Sequence, residues 1–277
     1  MTKLDLRQNE ISDISALKNL TKLSELNLNE NKISDFSVLA NLSNLSVLCL
    51  GDNQISDVSN ILHLNNLSEL YLWKNNIQNI DGLENLKNLN KLSLNNNLIS
   101  DVSVLANLVN LTQLDLGFNQ ISNIDALENL INLTELDLSG NQITETSSLV
   151  NLHNLKELNL GKNQINDIHV LANLPSLTIL HLDENNIDDI NDINAGNLDE
   201  NVDYTAMRNL AENTDERIDD IDISKQIKNA DDTDVSKQIE NADDTDVSNQ
   251  AESTDNIKEQ EQNIANFIAA EDRKSTR

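Results

Sequence analysis

The stretch NQISNIDALENLINLTELDLSGNQI, residues 119–143, holds one full period of the chain and the start of the next. Two spacings run through it. Leu136 and Leu138 alternate with polar neighbours, the period of a short strand with one buried face. Upstream, Ile124, Leu127, Leu130 and Leu133 recur every third residue, which suits a 3₁₀ or short helical return on the opposite side. Asn141 stands where the chain leaves the strand, so its amide can bond backbone groups of the turn that would otherwise lack partners.

Working outward, the pattern LxLxxNxI begins at Leu4, Leu26, Leu48, Leu70, Leu92, Leu114, Leu136, Leu158 and Leu180, nine copies at a constant step of 22 residues. The matching asparagines run from Asn9 to Asn185 in the same phase. Stacked copies predict an asparagine ladder inside the coil. Losing one rung should cost about 1–3 kcal/mol, the penalty for buried polar groups left unpaired. No copy can bury its apolar face alone, so each needs neighbours.

This pattern identifies a leucine-rich-repeat protein. Phrases such as ISDISALKNLTKL (11–23) and the 119–143 stretch resemble bacterial internalins. The resemblance runs from residue 1 to about 193. The protein-phosphatase-regulator type shares the 22-residue period and is the nearest competitor. The resemblance implies a leucine-rich-repeat solenoid, an α/β horseshoe with a parallel β-sheet on the concave face and short 3₁₀ or helical segments on the convex face. It also implies a noncatalytic scaffold that binds a protein ligand on the concave face. The alternative is an intracellular regulatory subunit docking an enzyme such as a phosphatase.

Three regions are expected: the repeats (1–193), a C-terminal cap containing Leu198, Val202, Met207 and Leu210 (194–211), and an acidic flexible tail (212–277). The tail opens on a 12-residue repeat, DISKQIKNADDT (222–233), DVSKQIENADDT (234–245) and DVSNQAESTDNI (246–257). As a helix each copy would rotate by about 120°, so its apolar positions never form one face. Disorder is the expected state there. The final NIKEQEQNIANFIAAEDRK (256–274) reads as a helix, either a frayed end or a docking element. The first strand begins at Lys3, so the N-terminal edge is expected to be uncapped as the chain stands.

Composition narrows the partners. With 47 acidic and 19 basic residues the formal net charge is −28, which repels nucleic-acid phosphates and anionic lipid surfaces. A protein ligand with a basic surface is expected, and neither nucleic acid nor membrane. Cys49 is the single cysteine, which leaves no disulfide framework. No apolar run is long enough for a transmembrane helix, and MTKLDL does not open a secretory signal. The chain as it stands reads as cytoplasmic, or as secreted or surface-borne if a segment precedes it.

In a strand read xLxLx, the x positions leave the sheet on the solvent side, where no core constrains them. Nine strands about 4.8 Å apart span roughly 38 Å, enough to cradle a small domain. Tyr71 and Trp73 share one strand, with Lys74 beside them, and Phe118 lies at a strand end two repeats later. Exposed aromatics anchor binding hot spots; the bland reading is that Trp73 lies flat on its neighbours. Asp115 and Asp137 occupy equivalent positions on adjacent strands, flanked by Glu135 and Glu157, with His181 and Asp183 further on. Side-by-side carboxylates destabilise a sheet, and a basic partner would relieve them; the bland reading is solvated acidity. The four histidines are scattered, no compact metal-ligand loop or glycine-rich phosphate loop occurs, and no catalytic constellation is found. No cofactor and no enzymatic activity are expected.

Overall fold

A computed structural model of the chain describes residues 1–188. The expected cap at 194–211 and the tail at 212–277 lie outside the described residues. Nine three-residue strands form one parallel sheet in chain order. They are β1 (Lys3–Asp5), β2 (Glu25–Asn27), β3 (Val47–Cys49), β4 (Glu69–Tyr71), β5 (Lys91–Ser93), β6 (Gln113–Asp115), β7 (Glu135–Asp137), β8 (Glu157–Asn159) and β9 (Ile179–His181). Register is constant: Leu4 faces Leu26, and Leu158 faces Leu180, so each residue sits beside its counterpart 22 positions on. Outward residues therefore form straight columns across the sheet.

The three-residue spacing of the return strokes has a direct cause. In the first, the amides of Leu17, Leu20 and Leu23 donate to the carbonyls of Ile14, Leu17 and Leu20 at 2.9 Å each. A three-residue apolar step and a three-residue hydrogen-bond step place all four side chains on the core side. Eight 3₁₀ segments occur among the described residues, one between each pair of strands. The leucines and isoleucines of both layers merge into one continuous core. Leu4, Leu6 and Ile11 of the first repeat remain half-buried, whereas Leu26, Leu28 and Ile33 of the second are buried.

The expected asparagine ladder is present, with more bonds per rung than a single turn requires. Asn97 donates to the carbonyls of Leu72 (3.0 Å), Leu94 (2.9 Å) and Asn95 (3.3 Å), and its Oδ1 accepts the amide of Ile77 (3.0 Å). Each interior rung thus bonds its own repeat and the preceding one. Just before each rung the chain must turn with positive φ. Eight residues without glycine's freedom adopt φ between 51 and 58° there, among them Asp52, Lys74 and Phe118, and Gly140 fills the same place in its repeat. This conformation costs an L-residue roughly 1 kcal/mol. In every such residue before Glu184 it is held because the amide reaches the next repeat, as Lys74 does to the Asn95 carbonyl at 2.8 Å.

A second asparagine ladder runs along the return side. Asn44, Asn66, Asn88, Asn110, Asn132 and Asn154 each donate to a carbonyl 23 residues earlier, at 2.7–2.9 Å. The asparagine that opens NLS or NLT at 44, 66, 110 and 132 is thus structural, its side chain already bonded.

Candidate functional site

The sheet's outer surface is organised as columns. The central column reads Asp5, Asn27, Cys49, Tyr71, Ser93, Asp115, Asp137, Asn159 and His181. Its carboxylates and amides have a local task. The amides of Arg7, Asn29, Gly117, Ser139 and Gly161 donate to the side-chain oxygen two residues earlier, at 2.8–3.1 Å. Aspartate and asparagine thus satisfy amides that the strand ladder leaves without a carbonyl.

Asp115 and Asp137 share this task and differ in everything else. Asp137 Oδ1 also takes the Ser139 hydroxyl (2.7 Å), and its Oδ2 takes the Asn159 amide (3.0 Å). One repeat earlier Gly117 replaces the serine, so Asp115 Oδ1 has only the Gly117 amide (3.1 Å). Its Oδ2 has only a long contact to the Ser93 hydroxyl (3.4 Å). The two carboxylates flank the place where a Cβ would stand on Gly117, at 3.4 and 3.1 Å. Burial, with the Asp137 charge adding to it, raises the Asp115 carboxyl to about 6. An acid in this state gains from any added hydrogen-bond donor or cation.

Both carboxylates line a recess of about 290 Å³ in the sheet face, walled by Tyr71 on one side and Glu135 and Glu157 on another. Lys91 of β5 also lines it. The recess unites three of the residues expected from the sequence: Tyr71, Asp115 and Asp137. Lys91 was not anticipated; a column drawn through positions 69, 91, 113 and 135 would have found it. Tyr71 is half-buried, and its hydroxyl donates to Glu69 Oε2 at 2.8 Å. Burial first, then that bond, raises its phenol above the ordinary range, so it stays neutral.

Trp73 lies at the rim of the sheet and does not stand out from it. Its indole covers Gly51, whose missing Cβ would fall 2.2 Å from Cε2. The tryptophan is half-buried in this position. Lys74 is exposed and ion-paired with Asp52 at 2.7 Å. Phe118, 47% exposed, lies across Gly140 with the Lys162 ammonium 6.0 Å from its ring centre. Phe118 does not line the recess. His181 is on β9, and the Asp183 carboxylate rests against Gly161, away from the recess lining. Glycines at 51, 117, 140 and 161 therefore decide where the large outward side chains lie, a signal visible only once the repeats are aligned.

Burial and the acids at Glu69, Asp5 and Glu25 push the Cys49 thiol up to about 11, so it stays protonated at neutral pH. Among the described residues no group of three His, Cys, Asp or Glu side chains is placed to hold a metal ion. Nor is any described helix long and apolar enough to cross a membrane.

The sheet of stacked 22-residue units, with 3₁₀ returns behind it and one free face, defines a repeat solenoid. The family described as leucine-rich repeats (two copies) matches residues 1–41, 65–107, 87–129, 109–151, 131–173 and 153–195, more than half of the chain. Among solved structures the chain is similar to an internalin (inlF) from Listeria monocytogenes, at 35% identity and a TM-score of 0.60. That match covers 70% of this chain and 64% of the other, so the chain spans somewhat under two thirds of that relative. It is also similar to internalin C2 from Listeria monocytogenes, at 35% identity and a TM-score of 0.63, over 65% of this chain and 80% of the other. A plant peptide hormone receptor solved in complex with RGF2 is similar at 28% identity and a TM-score of 0.60, over 66% of this chain and 32% of the other. No curated protein matches the chain. The chain belongs to the leucine-rich-repeat family, with repeats of the internalin kind.

Proposed function

We propose that this protein is a noncatalytic scaffold that binds a protein ligand on the outer face of its sheet. The observation that carries the reading is the recess walled by Tyr71 and by the paired carboxylates Asp115 and Asp137, with the half-buried Trp73 two residues beyond Tyr71. Apolar rings with polar tips next to incompletely bonded acids are the ingredients of a hot spot. A net charge of −28 favours a basic partner surface. The peptide hormone receptor, solved with its bound partner, is a solenoid of similar fold, which supports a binding role for this one.

The test begins with partners captured from a lysate by the full chain, followed by binding kinetics on variants. Trp73→Ala and Asp137→Asn should keep the fold, since neither residue belongs to the leucine core. The Trp73 variant should lose about 2 kcal/mol of affinity. Unchanged affinity in both variants would place binding elsewhere, on the return side or the C-terminal segment.

A further inference from the structure

We infer that the ligand segment is extended and basic, with a Lys or Arg side chain seated on Asp115 and a large apolar side chain two to four residues away on Tyr71 and Trp73. This rests on the reading that the sheet face binds protein, and it adds the chemistry and spacing of what is bound.

Three observations support it. The first is acceptor capacity. A carboxylate can accept about four hydrogen bonds. Asp137 has three within 3.0 Å, from Ser139 twice and Asn159 once. Asp115 has one at 3.1 Å and a long one at 3.4 Å. Of the two aspartates in the column, Asp115 is therefore the one with room for a donor. The second is charge. Four carboxylates, Asp115, Glu135, Asp137 and Glu157, line the recess against the single ammonium of Lys91. A cation entering there is attracted, and an anionic side chain is repelled. Burial has already raised the Asp115 carboxyl, as an incoming cation would reverse.

The third is distance. Tyr71 on β4, Ser93 on β5 and Asp115 on β6 are consecutive members of one column. Two strand spacings separate tyrosine from aspartate, about 10 Å. An extended chain advances roughly 3.3 Å per residue, so one running across the strands covers that span in about three residues. Between the two anchors stand Ser93 and, beside it, Asn95, side chains short enough to let a backbone pass. Gly117 keeps the far side open, because any Cβ there would meet both carboxylates.

The experiment uses the full chain and synthetic, end-blocked peptides of Gly and Ser carrying one Leu and one Lys, with fluorescence of Trp73, the sole tryptophan, as the readout. Peptides with Leu and Lys two to four residues apart should perturb the emission at lower concentration than peptides with the two adjacent or with Glu replacing Lys. Asp115→Asn should weaken the preferred peptides about tenfold, the loss of one charge-assisted bond. Binding that falls in Trp73→Phe, read by calorimetry, but is unchanged in Asp115→Asn overturns this inference and leaves the sheet-face reading standing. Binding insensitive to both substitutions overturns the reading beneath it. Equal binding of the Lys and Glu peptides overturns the basic assignment.

Discussion

The indole of Trp73 lies across Gly51, with ring atoms as close as 2.2–2.6 Å to the point a Cβ would occupy. The contact joins residues 22 apart, one repeat to the one before. Gly51→Ala therefore cannot be accommodated without moving the ring. The expected result is a Trp73 emission shifted to longer wavelength and a loss of about 1–3 kcal/mol in chemical unfolding, the range for overpacking. Unchanged emission would mean that the indole does not rest on Gly51 in solution.

Asp115 makes a pH-dependent prediction. Its carboxyl is raised to about 6 in the folded protein against roughly 3.9 in the unfolded chain. Between these values the folded state holds more protons than the unfolded state, so this group lowers stability as pH rises from about 4 to 6. Asp115→Asn removes the charge and keeps an oxygen for the Gly117 amide. The variant should be more stable than the parent at pH 7.5, by about 1 kcal/mol after allowing for partial exposure, and nearly equal to it at pH 4. Urea unfolding at the two pH values checks this; a constant difference between the proteins contradicts it.

The ladder should be strong inside and weak at its edge. Asn97→Ala removes four bonds from a buried site and should cost about 1–3 kcal/mol or more. Asn9 is exposed, and its side chain bonds only the carbonyls of Leu6 and Arg7. Asn9→Ala should cost under about 1 kcal/mol. Equal losses at the two positions would show that the bonds to neighbouring repeats contribute little.

Phe118 holds φ at 54° with its side chain 47% exposed. Asn96 occupies the same position one repeat earlier with φ of 55°. Asparagine tolerates this conformation better than phenylalanine does. Phe118→Asn should leave thermal stability level or raise it by up to about 1 kcal/mol. A clear loss would mean that the ring's packing on Gly140 outweighs the backbone strain.

Most of the fold was legible in the residues, because the apolar spacing, the strand period and the asparagine phase all repeat without an insertion from Leu4 to Asn185. The outward-facing columns followed from the same count. What stayed hidden depended on comparing a residue with its counterpart one repeat away. Asp115 and Asp137 look equivalent until Gly117 is set beside Ser139, which leaves one acid short of donors. Trp73 reads as a projecting anchor until Gly51 is seen beneath it. The return-side asparagines give no sign of their role within a single repeat, since their acceptors lie 23 residues back.

The constant register also bears on how the chain finds its shape. Ladder bonds join residues 20–25 apart, whether they lie near one end or in the middle. The loop that closes is therefore the same size for every repeat, and its entropic cost does not grow with the number of repeats. Folding can start at whichever adjacent pair of repeats is locally most stable and spread both ways by identical steps. Loosening can likewise pass from one repeat to the next, since each repeat's ladder bonds reach only its neighbours.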